Sequence, residues 1–226
     1  MFNKRHIVRT IAATVSILAL SFTAACGSGQ STASNSTDSD DITQQTYKPG
    51  KLTIATGQPA YEPWVMNDKP ESGEGYEAAV AYAVADKLGF KKSDVVWTRT
   101  AFDTAIAPGA KDWDFNIQQF GITDERKKAV DFSSSYYNDS QSVVVKKDSK
   151  FANATKVSDL KDATVGVMVG TLAYDYAKAN IKDDIQTFND DAALAQALDA
   201  GQIDALVTST VECVYMVQSE QVKDAK

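Results

Sequence analysis

Twice along this chain a short run with strand character ends in a glycine or polar turn and leads into a segment with helical spacing. That repeat limits the possible folds more than any other feature. Strands separated by short helices pair in parallel through right-handed crossovers, which predicts an α/β protein. The first unit has strands at 52–56, 95–98 and 115–120. Between them lie a helix with Tyr76, Ala79, Val80, Ala83, Val84 and Leu88 on one face, capped by Gly89, and a short helix at 102–107 stopped by Pro108-Gly109. Residues 143–147 are extended and leave this unit, and 148–157 form a polar connection. The second unit has a strand at 164–169, a turn at Gly170 and a helix at 171–180. A helix opened by Asn189-Asp190 comes next, with Ala193, Leu194, Ala197 and Leu198 on one face, and a strand at 203–208 completes the unit. Two such units predict two lobes facing a cleft, with ligands at the carboxyl ends of the strands.

The junction at 116–126 marks the place to look for a site. It reads as a buried strand, a turn at Gly121, and a helix with Thr123 as N-cap and Asp124 and Glu125 in its first turn. Arg126 offers a planar fork of donors that matches a carboxylate. The same residues also fit a plain strand-to-helix turn with a solvated arginine. At the second junction Thr171 caps a helix, either alone or with an anion on the neighbouring amides.

Residues 1–25 have the form of an export signal: Lys4, Arg5 and Arg9 precede a short apolar run, and a small-residue cleavage site closes it. Cys26 directly after it resembles the acylated cysteine of a bacterial lipobox, with Thr23 where leucine is usual; ordinary cleavage beside an incidental cysteine is the alternative. Residues 26–50 are polar and read as a disordered tether. Removing the signal takes the formal charge from −7 to −10, a balance that repels phosphate backbones and argues against nucleic acid as a partner. The single histidine, His6, leaves with the signal, so the mature chain has no imidazole for a triad, a proton relay or a zinc site. Cys213 is then the only thiol of the folded part.

Several motifs together resemble the polar-amino-acid group of bacterial extracellular solute-binding proteins, the receptors of ABC importers. They are Gly75-Tyr76-Glu77, Ile122-Thr123-Asp124-Glu125-Arg126 with Val130-Asp131-Phe132-Ser133 and Tyr136-Tyr137, Val165-Gly166-Val167 before Gly170-Thr171, and Gly201-Gln202-Ile203-Asp204-Ala205. The resemblance covers residues 51–226. It implies a type II periplasmic-binding-protein-like fold with lobe 1 at 51–142, lobe 2 at 143–226 and the ligand between them. It also implies that Arg126 pairs with the α-carboxylate of an amino acid, helped by the backbone at Gly121 and by Thr171. Tyr61 and Phe102 would hold the side chain, and Gln119 would offer a carbonyl to the amino group. The implied partners are an amino acid, an importer permease and, through Cys26, the membrane. The implied protein is a monomer on the outer face of the cell membrane, without cofactor, metal or catalytic residues.

Departures from the family pattern qualify this picture. Ser209 stands where an acid for the ligand ammonium is usual, Gly121 where a hydroxyl is, Leu172 where a small hydroxyl residue is, and Val211 where proline is frequent. Three resolutions are open at Ser209: Glu212 compensates, the ligand is not a standard zwitterion, or binding is weak. Gln118, Gln119 and Ser209 suggest an uncharged polar pocket and favour a ligand such as glutamine over arginine. In the family a return segment completes lobe 1, so this lobe is expected to lack part of its core. Alternative functions are a dehydratase-like enzyme, with Glu212 or Glu77 as acid or base, and a non-transporting sensor or adhesin domain.

Overall fold

The strand β1 (Leu52–Gly57) is buried along its whole length, as befits a central strand covered on both faces. The computed structural model describes residues 41–226, so the signal segment and Cys26 lie outside the described residues. Parallel strands β2 (Val95–Thr100) and β3 (Phe115–Asn116) flank β1 in a three-stranded sheet, with α1 (Tyr76–Lys87) and α2 (Phe102–Ile106) in the connections. The second sheet has the order β4 (Gln141–Val145), β7 (Ala205–Ser209), β5 (Val165–Met168), β6 (Gln186–Phe188). Its strands are parallel except β4, which runs antiparallel to β7. Around it lie α3 (Leu172–Asn180), α4 (Asp191–Asp199) and α5 (Thr210–Gln218). The chain is thus a two-lobed α/β protein, with residues 117–140 running from one sheet to the other.

Several expectations about local structure need correction. The buried face of α1 is Glu77, Ala78, Ala81 and Ala85, whereas Tyr76 and Val84 are exposed. Alanines at the contact let the helix lie close to β1, where Ala81 and Ala85 join Leu52, Ile54, Phe90, Phe115 and Ile117 in one core. The third strand is two residues long and does not reach Phe120, because Gln119 adopts a left-handed φ of 51° and turns the chain away. Thr123 does cap, accepting the N–H of Arg126 at 3.1 Å, but the capped segment is one 3₁₀ turn, Arg126–Lys128, and no α-helix. Only Val130 is buried between residues 121 and 140, so no apolar face is available to hold a longer helix.

Residues 41–50, expected to be the end of the tether, are ordered against the first lobe. Asp41 caps a short 3₁₀ turn, and the N–H of Tyr47 donates to Asp114, whose other oxygen accepts the N–H of Thr53 at 2.7 Å. Strand β6 and helix α5 have no clear signal in the sequence. Cys213 sits within α5 in the core with Leu194, Leu198 and Met216, and burial pushes its thiol up to about 12, which makes it a packing residue.

Candidate functional site

A cavity of about 510 Å³ lies between the two sheets. All seven residues expected at the site, Tyr61, Phe102, Gln119, Gly121, Arg126, Thr171 and Ser209, line it. The carboxyl end of β1 supplies Thr56 and Gly57, β3 and the segment after it supply residues 115–122, and the N-terminal ends of α3, α4 and α5 close it from the second lobe. This is where a parallel sheet gathers its loops and helix N-termini.

Arg126 bridges the lobes. Its Nη1 donates to the carbonyl of Gly121 and its Nη2 to the carbonyl of Gly170, each at 2.9 Å. The guanidinium also lies 5.7 Å from the ring centre of Phe102 and 5.5 Å from that of Phe120. Those two rings are stacked with centroids 4.1 Å apart. Burial lowers the guanidinium's pKa, opposed by the charge of Asp175. It is a desolvated cation resting on aromatic faces, with neutral carbonyls as partners. Phe120 belongs to this group, although its sequence context marks it only as the end of a strand.

Gly121 explains a second departure. A Cβ placed there would lie 2.3 Å from Cδ1 of Leu172 across the cleft, so the bare backbone at one position makes room for the larger side chain at the other. Thr171 is occupied locally: its hydroxyl donates to the carbonyl of Met168 at 2.8 Å and accepts the N–H of Tyr174 at 3.3 Å. At the rim, the hydroxyl of Tyr215 on α5 donates to Glu62 of the first lobe.

Ser209 is the N-cap of α5, its hydroxyl accepting the N–H of Glu212 at 3.2 Å. Beneath it two acids are buried together. Glu212 accepts the hydroxyl of Thr208 at 2.6 Å, while Asp191 is only 7% exposed and its Oδ1 has no hydrogen-bond partner. Burial raises both carboxyl pKa values, and for Asp191 the nearby charges of Glu212 and Asp190 raise it further. A third acid, Glu77, is completely buried, and burial pushes it up to about 7. It accepts the backbone N–H of Gln119 at 2.8 Å, the side-chain amide of the same residue, and the hydroxyl of Tyr136. These bonds hold Gln119 in its left-handed conformation and leave only its carbonyl oxygens for a ligand. Among the described residues none of these three acids forms an ion pair.

Four residues lining the cavity carry a buried polar atom without a hydrogen-bond partner: Thr56 Oγ1, Trp64 Nε1, Gln141 Oε1 and Asp191 Oδ1. Tyr61 faces Asp190 and Asp191, whose charges, after burial itself, raise the phenol's pKa. Sequence reasoning missed Asp191 as a site residue. Asp190 already caps α4 by accepting the N–H of Ala193 at 2.8 Å, and the second, redundant aspartate was the available signal.

A cavity between two α/β lobes, lined by a desolvated arginine and by buried acids without cations, has the form of a small-molecule cleft. The chain belongs to the bacterial extracellular solute-binding proteins, family 3, whose model matches residues 52–207. It is similar to the L-cystine-binding protein TcyJ of Escherichia coli (strain K12), 31% identical over 160 residues that make up 70% of this chain and 59% of that protein. This chain therefore spans about three fifths of that relative's length. Among solved structures it is similar to an ancestral arginine-binding protein bound to glutamine, with 32% identity, a TM-score of 0.65, and coverage of 79% of this chain and 78% of that one. It is also similar to the ancestral amino acid-binding protein AncCDT-1, a precursor of cyclohexadienyl dehydratase, with 33% identity, a TM-score of 0.64 and 75% coverage of each chain.

Proposed function

We propose that this protein captures an amino acid between its lobes and presents it to the permease of an ABC importer. One observation carries the reading: one cavity between the lobes holds a guanidinium without a carboxylate partner and carboxyl groups without a cationic partner. A zwitterion satisfies both. Its carboxylate is taken by Arg126, whose fork faces two carbonyls that closure of the lobes brings together, with Phe102 and Phe120 holding the guanidinium flat. Tyr61 supplies part of the wall, and Gln119 offers carbonyl oxygen. The names of relatives that bind cystine or arginine support the amino acid class.

The side chains behind the preference for glutamine over arginine are engaged within the protein. Gln119 is held by Glu77, Ser209 caps α5, and Gln118 accepts the side-chain amide of Asn116 at 3.2 Å. We read the protein as a monomeric binding protein and not an enzyme. Glu77 has a pKa suited to acid–base work, yet Tyr136 and Gln119 hold both its oxygens. Attachment to the outer face of the membrane through Cys26 completes the proposal. The test is a thermal melt of the chain with each common amino acid in turn. A ligand at a hundredfold over its Kd adds about 2.7 kcal/mol and raises the midpoint. A cooperative melt that no amino acid moves, together with product release from a prephenate-like acid, would replace this reading with the dehydratase one.

A further inference from the structure

The acids of the second lobe are not where the family pattern puts an acid. Position 209 is a serine with its oxygen engaged in capping α5, while the carboxylates come from deeper positions, Asp191 at the start of α4 and Glu212 in the first turn of α5. A buried carboxylate without a cation is costly, and a chain keeps one only where something else compensates it. Thr208 reaches Glu212 and also bonds the Asp191 carboxyl, but nothing reaches Asp191 Oδ1, in the wall of a cavity large enough for a small molecule.

We propose that Asp191, with Glu212 behind it, is the subsite for the cationic group of the ligand, and that the pair holds a proton when the cavity is empty and releases it to solvent when an ammonium or guanidinium enters. The proposal rests on the reading of the cavity as an amino acid site and adds which residues meet the cation and what they exchange for it. Most of the groups around the pair favour this exchange. Asp190 at the cap of α4 and Asp139 before β4 add negative charge, Glu77 on α1 is itself pushed toward the neutral acid with Glu212 nearby, and Tyr61 and Cys213 stay neutral because their acidity is suppressed; the hydrogen bonds of Thr208 and Ser209 oppose it. Arg126 makes its contacts with Gly121 and Gly170 and with no carboxylate of the pair. An entering cation therefore meets two carboxyl groups whose mutual repulsion it relieves, and their proton becomes superfluous.

The experiment uses the full chain and Asp191→Asn, which keeps the shape and removes the charge. Thermal melts and calorimetric titrations are run with L-arginine, L-lysine and L-glutamine, and separately with methylguanidinium and methylammonium, in two buffers of different ionisation enthalpy. The expected result is proton release by the wild type on binding. In Asp191→Asn that release is lost and affinity for whichever probe binds falls about ten- to hundredfold. The unliganded variant should melt no lower than the wild type, since the substitution removes one of two buried acids that repel each other; a merely structural aspartate would give the opposite. Equal affinity and equal proton count in the two proteins would overturn the proposal while leaving the amino acid reading intact. Binding of methylguanidinium or methylammonium through Asp191, with no response to any amino acid, would keep the subsite and overturn the amino acid reading. No response of the wild type to any of these cations or amino acids would overturn both.

Discussion

The two charged regions of the cavity are built in different ways. Arg126 keeps its charge by leaning on Phe102 and Phe120 and donating to the carbonyls of Gly121 and Gly170, so it is oriented before a ligand arrives. Asp191 and Glu212 have only the hydroxyls of Thr208 and Ser209 for support; burial pushes both toward the neutral acid, helped by the charges of Glu212 and Asp190 at Asp191 and of Asp139 at Glu212. The difference lies in the ions themselves. A guanidinium is weakly hydrated and spreads its charge over a plane that rings and carbonyls can cover. Two neighbouring carboxylates need a cation, and the described residues give them none.

The sharpest way to break this comparison is Arg126→Ala, which removes the preset partner of a ligand carboxylate. Amino acid affinity should fall by about 3 kcal/mol or more, read by calorimetry, because the carboxylate is left buried and unpaired. Arg126→Lys should recover only part of the loss, since the fork is missing. An unchanged affinity in Arg126→Ala would mean that the carboxylate binds elsewhere.

Next in size is the pH dependence of the unliganded chain. A carboxyl whose pKa is raised on folding keeps its proton in the folded state while the unfolded state has lost it, so stability falls as pH rises. For Glu77 the window runs from the ordinary value of 4.5 to about 7 and accounts for up to about 3 kcal/mol, with Asp191 and Glu212 acting in the same direction. Denaturant melts across this range should show the decline, and a bound cationic ligand should flatten it. A stability that rises from pH 5 to 7 would show that these acids are ionised and compensated in the empty cavity.

The smallest effect expected is at the contact of Gly121 with Leu172. Gly121→Ala inserts a methyl group 2.3 Å from Leu172 Cδ1 and should weaken ligand binding by about 2 kcal/mol by holding the lobes apart. Leu172→Ala added to it should restore most of the loss, and a double-mutant cycle measures the coupling. Additive effects would show that the two residues do not meet in the ligand-bound state.

Much of the architecture is legible in the sequence because it rests on local pattern. The alternation of strand and helix, the caps at Thr171 and Asp190, and the glycine stops after α1 and α4 all lie where periodicity and capping chemistry put them. The misreadings share one cause. Periodicity puts the bulky residues of α1 in the core; Val80 and Leu88 do pack against it, but the fully buried positions are alanines and Glu77, since the closeness of the sheet and not residue size selects the face. The cap at Thr123 predicts a helix, and the segment makes a single turn because it has almost nothing to bury. Within the site, Arg126 carries a signal because its motif is local. Asp191 carries little, because its isolation is a property of its surroundings.

The sequence by itself determined the class of fold, the two α/β units, the family and the arginine at the first junction, since each depends on residues close together in the chain. Only the tertiary structure decided that Gly121 faces Leu172, that Glu77 holds Gln119 in a left-handed turn, and that Asp191 and Glu212 share one buried corner without a cation. The physical reason is desolvation: the cost of a charge and the identity of its partners depend on groups far away in sequence, which come together only when the lobes enclose the cavity.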